Sequence, residues 1–117
     1  MKTSSPNSAT LLAGLFAMAC LAFPATTRAV DEEAAKMLAR QSNCFKCHAM
    51  TKKKEGPAWH DVAAKYRGKP EAHARLTKHI TSGEKAKFED GHEEEHAIVK
   101  TKDAAQIKNL VDWILSL

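Results

Sequence analysis

The chain has 117 residues, 44% of them apolar, 27% charged and 6% aromatic, with a formal net charge of +4. That length accommodates one small folded unit. The modest cationic excess comes without a basic stripe interleaved with aromatics, so it gives no sign of nucleic-acid binding.

Residues 1–29 begin with Lys2, run apolar from about Ala9 to Phe23, and close on Thr27, Arg28 and Ala29. This is the layout of a secretory signal peptide, with cleavage expected after Ala29. The apolar run is interrupted by Gly14, followed by Pro24, and shorter than the roughly 20 residues of a membrane span. Cys20 leaves a lipid-anchored form open, although Ala17 stands where such leaders carry leucine; an uncleaved leader is the other anchored form. Removing the leader leaves 88 residues, 30–117, and lowers the formal charge to +2, because Lys2 and Arg28 go but no acid does. A domain of that size buries a modest share of its surface and often leans on a disulfide, a metal or another staple. Only Cys44 and Cys47 remain to supply one.

The first predicted helix covers residues 31–42. Asp31, Glu32 and Glu33 open it near the positive end of its dipole, and Ala34, Ala35, Met37, Leu38 and Ala39 supply its apolar side. Met37 is expected in the core.

Next comes Cys44-Phe45-Lys46-Cys47-His48. A Cys-x-x-Cys pair serves three chemistries. A thioredoxin-like redox site needs alternating strands and helices, and no convincing strand run is present. A zinc site needs a second ligand pair, for which His92 and His96 are available. The adjacent histidine points to the third, c-type haem attachment, in which both thiols form thioethers and the imidazole ligates iron. One helical turn sets both sulfurs along one edge of the macrocycle, and secretion suits covalent haem attachment. A ligating histidine also needs its second ring nitrogen held by an acceptor. The carbonyl of Pro57, in a stiff Gly56-Pro57 loop, can return to His48 for that purpose.

Residues 59–67 predict a second helix carrying Val62, Ala63 and Tyr66. Residues 70–82 predict a third, with Pro70 in its first turn, Leu76 and Ile80 on one face, and Gly83 just beyond its end. His60, His73 and His79 sit among charged neighbours on these helices and are expected at the surface. From about Asp103 to Ser116, Ile107, Leu110, Val111, Ile114 and Leu115 draw the apolar face of a last helix.

Taken in order, the Cys44–His48 motif, Gly56-Pro57-Ala58, Trp59, Asp61 to Tyr66, Ile80-x-x-Gly83 and Trp113 make the mature chain similar throughout to class I cytochromes c of the short monohaem bacterial kind. The resemblance implies an all-α fold of about four helices wrapped around one covalent haem c, the first and last crossing beside it with Leu38 against Trp113. It implies a periplasmic one-electron carrier rather than an enzyme: a monomer without a membrane span, working between protein redox partners. Lys52, Lys53 and Lys54, beside the attachment site, are then placed to steer acidic partners, or form a solvated loop. Trp59 is expected to donate to a haem propionate or simply to pack.

The chain departs from the family in one respect. Class I members hold the sixth iron position with a late methionine, whereas the methionines here are 1, 18, 37 and 50. Met50 is tethered beside His48 and cannot easily reach the opposite face. Counting forward from Gly83 lands beside His92, and counting back from Trp113 lands beside His96; a short loop insertion reconciles the two. His96 is the expected sixth ligand, with the apolar Ala97, Ile98 and Val99 after it, and His92 is the runner-up. Two imidazoles make a low-potential electron carrier, since methionine ligation raises the haem potential. A labile or open sixth site would instead suit gas binding or sensing, or, with an acid–base pair above it, a haem enzyme or one of its subunits.

Overall fold

The computed structural model describes residues 1–3 and 28–117. The body of the expected leader, Cys20 included, lies outside the described residues. Among the described residues no helix is long and apolar enough to cross a membrane.

Helix α1 (Glu32–Gln41) begins where the Asp31 side chain accepts from the Ala34 N–H, and acids in its first turn and Arg40 in its last oppose the dipole charges. It buries Ala35, Leu38 and Ala39. Met37, 56% exposed, is not in the core as expected. It lies off the i, i+3, i+4 stripe that these three residues define. Asn43 then takes a left-handed conformation, φ 60°, which turns the chain into the single turn of α2 (Cys44–Cys47). Helices α3 (Trp59–Tyr66) and α4 (Ala72–Thr81) follow.

Strands β1 (Lys85–Lys87) and β2 (Glu93–Glu95) form an antiparallel hairpin in which Lys85 faces Glu95 and Lys87 faces Glu93. The sequence predicts only a loop here. Both strands are largely exposed, so the hairpin has no apolar alternation to betray it, and residues of opposite charge stand opposite one another across the ladder. Helix α5 (Ala104–Leu115) closes the fold, capped by Asp103, which accepts from the N–H groups of Ala105 and Gln106.

Helix α5 is the hub, packing on α1, α3 and α4. Its Leu110, Val111 and Trp113 are the largest fully buried side chains, and they share one apolar cluster with Leu38, Trp59, Leu76 and Val99. The first and last helices are also tied by polar groups. Asn109 accepts from the Asp31 N–H at 2.8 Å and donates to the Asp31 carbonyl at 2.8 Å. The architecture is the expected helical one, with a fifth, one-turn helix at the cysteines and the small hairpin added.

Candidate functional site

The turn of α2 carries Cys44 and Cys47 on one short segment, both as free thiols and both partly buried. Burial raises both thiol pKa values above the ordinary range, helped at Cys47 by Glu55, whose carboxylate accepts from the thiol at 3.5 Å. The His48 N–H closes the turn on the Cys44 carbonyl, after which the backbone becomes extended and carries the imidazole out of the helix.

The following loop comes back to that ring. The Gly56 N–H donates to the Cys47 carbonyl at 2.8 Å and the Trp59 N–H to the Ala49 carbonyl at 3.0 Å. Between these two anchors the Pro57 carbonyl accepts from His48 Nδ1 at 2.7 Å. This fixes the tautomer and leaves Nε2 free. Gly56 lies flat against the imidazole: a β-carbon there would stand 2.6 Å from His48 Cε1. Trp59 also stacks on this ring, its ring centre 5.8 Å from that of His48 and the planes 14° apart, and it meets Trp113 edge-on at 5.1 Å.

A second imidazole faces the first. His96 directly follows β2, and its N–H donates to the Glu84 carbonyl at 3.0 Å. Three residues on, the Val99 N–H donates to the Ile80 carbonyl at 2.9 Å, and Lys100 is tied to buried Ser42. The ring of His96 is thereby brought 6.1 Å, centre to centre, from that of His48. Its Nδ1 donates to the Ala97 carbonyl at 2.9 Å, so it too has Nε2 free. Burial pushes both imidazoles below their ordinary pKa, the nearby His79 adding to the effect, which favours the neutral, metal-ligating form.

His92 is elsewhere engaged. It is exposed, stacks on Phe88 at 4.2 Å, and pairs with Asp90 and Glu94. His60 is exposed as expected, but His73 and His79 are partly buried. His79 contacts His96 directly, ring centres 4.0 Å apart, and donates to Glu84, which also receives Arg75. Sequence reading missed His79 and Glu84. The only signal was the i, i+4 relation of Arg75 to His79 on a helix whose end lies beside the ligand loop. Lys53, after the attachment motif, pairs with Glu89 at the hairpin tip, so one lysine of the run is neutralised within the molecule.

The cytochrome c family model matches residues 32–117. A cytochrome c-551 from Allochromatium vinosum is 40% identical over 97 residues, covering 83% of this chain and all of that protein. A cytochrome c-552 from Nitrosomonas europaea is 38% identical over 80 residues, covering 68% and 75%. Among solved structures, the class 1 cytochrome MtoD from Sideroxydans lithotrophicus ES-1 superposes with a TM-score of 0.71 at 63% identity, covering 75% of this chain and 97% of that one. The chain belongs to the cytochrome c family: it is a small class I cytochrome, an electron-transfer protein whose haem c is attached through Cys44 and Cys47. The residues fit that group, since two adjacent free thiols and an oriented imidazole stand together where Gly56 clears one ring face.

Proposed function

We propose that this protein is a periplasmic, monomeric one-electron carrier in which His48 and His96 are the two axial ligands of the haem and its potential is low. One observation carries the reading. A metal lies about 2.0 Å from an imidazole nitrogen, itself about 1.1 Å from the ring centre, so two rings on opposite sides of one metal sit roughly 6.2 Å apart. The centres of His48 and His96 are 6.1 Å apart, and each ring has its Nδ1 spent on a backbone carbonyl. His92, stacked on Phe88 and paired with acids, supports the choice of His96 over it.

The haem supplies a one-electron couple, and the chain does the rest. Carbonyl acceptors on both rings raise ligand basicity, favouring the ferric state and lowering the potential. Trp59, Trp113 and Val99 form an apolar wall near the site that limits water. Trp59 also presents an indole N–H to a propionate, and Lys46, Lys52 and Lys54 remain on the attachment side to meet an acidic redox partner.

The test is the visible and near-infrared spectrum of the matured protein, with a potentiometric titration and added carbon monoxide. Low-spin spectra without a methionine-to-iron band, indifferent to carbon monoxide and lost in His96→Ala, are expected. His96→Met should raise the potential. A high-spin ferrous wild type that binds carbon monoxide would overturn this reading in favour of gas binding.

A further inference from the structure

We propose that His79 is a positioning residue for His96: tethered by Glu84, it packs its ring on the His96 ring and fixes that ring's rotation and its hold on the iron. The inference rests on His96 as sixth ligand. It comes from a chain of contacts that reaches the site from α4 and is separate from the attachment loop.

Arg75 and His79 lie one turn apart on α4, and both reach Glu84 Oε1, Arg75 Nη1 at 2.5 Å and His79 Nδ1 at 2.7 Å. Glu84 is therefore held from two sides, and its side chain is only 24% exposed. The same residue accepts the His96 backbone N–H through its carbonyl. Glu84 thus fixes the backbone of His96 directly and its ring through His79. The His79 ring lies 4.0 Å from the His96 ring, tilted by 42°, close enough to block rotation about the Cβ–Cγ bond. Among the described residues, the hydrogen bond made by the His96 ring itself goes from Nδ1 to the carbonyl of Ala97, its own neighbour in sequence. His48, by contrast, has both Gly56 and Trp59 against its ring. His79 gives His96 the face contact that its own loop lacks.

In a low-spin ferric haem with two imidazoles, the anisotropy of the electron paramagnetic resonance signal follows the angle between the ring planes. That angle here is 53°. A merely structural role for His79 would leave the signal in place. We therefore compare the wild type with His79→Ala, His79→Phe, Glu84→Gln and His96→Ala, all as matured holoprotein, by frozen-solution resonance and by the rate of ferric cyanide binding.

His79→Ala should stay low-spin but show a broadened or shifted largest g value, with cyanide binding about 2- to 10-fold faster, the scale of one lost ring contact. His79→Phe, which keeps a flat ring but loses the tether, and Glu84→Gln, which loosens the tether, should both fall between His79→Ala and the wild type. A His79→Ala signal and cyanide rate equal to wild type, with His96→Ala losing the low-spin spectrum, would overturn the positioning role alone. If His96→Ala is silent, the ligand reading fails; if His79→Ala then loses the low-spin spectrum, His79 is itself the ligand and both proposals fall. Should His79→Ala not mature, Glu84→Gln decides, because it loosens His79 without opening the face of α4.

Discussion

Gly56 shows how narrow the tolerance is around the His48 side chain. A methyl group at this position would meet three atoms of the His48 ring, the nearest at 2.6 Å, while the bond from Nδ1 to the Pro57 carbonyl holds that ring in place. Gly56→Ala should cost about 1–3 kcal/mol of strain. It should also lower the low-spin fraction of the matured protein while leaving the attached haem, measured after denaturation, unchanged. Charge contributes at the hairpin tip. Asp90 raises the His92 pKa, and His92 lowers that of Asp90. A raised histidine stabilises below its unfolded pKa and loses that contribution as pH climbs through the folded value. A lowered aspartate stabilises above its unfolded pKa and loses it as pH falls through the folded value. The melting-temperature gap between wild type and Asp90→Asn should thus be widest at mildly acidic pH and shrink on either side, remaining small because both groups are exposed. At this scale the sequence was most readable where chemistry is local. Cys44, Cys47, His48 and Pro57 declare themselves by spacing. His79 did not, because its neighbours Lys78 and Arg75 mark a solvated face, and only the path of a later loop covers it.

Among the elements, the helices were legible from periodicity and caps, and their ends agree with expectation to within a residue or two. Asp103 is the clearest such signal. Its carboxylate accepts from Ala105 at 2.8 Å and from Gln106 at 3.3 Å, and Asp103→Ala should cost about 1 kcal/mol. In a domain of this size that lowers the melting temperature by about 4–8 °C, which a thermal scan would resolve. The hairpin was illegible for a physical reason. A ladder largely exposed and written in lysine and glutamate has the composition of a loop, and it carries no apolar alternation from which its register could be read. The two bonds from Asn109 to Asp31 are hidden in the same way, since nothing local in either residue announces the other.

Viewed whole, the molecule is a helical hub with two loops hung from it, one carrying the attachment motif and His48, the other His96. Their ends meet where Lys53 pairs with Glu89, and Lys100 anchors the second loop to Ser42 at the end of α1. The likeness of the whole chain to class I cytochromes c was readable because its motifs fall in a fixed order. Which imidazole faces His48 was readable only as a count along the chain from Gly83 and Trp113, because the contact itself depends on how two loops far apart in sequence close. That distance along the chain also bears on how the protein acquires its structure. The chain holds six histidines, and once haem is attached with His48 on the iron, each of the other five can seek the vacant iron face before the fold is complete. The loop from His48 to His60 is about four times shorter than that to His96, an entropic head start of about 1 kcal/mol for the wrong partner. Refolding from denaturant at neutral pH should therefore include a slow phase of ligand exchange. It should vanish when excess free imidazole occupies the iron or when mild acid protonates the competing rings.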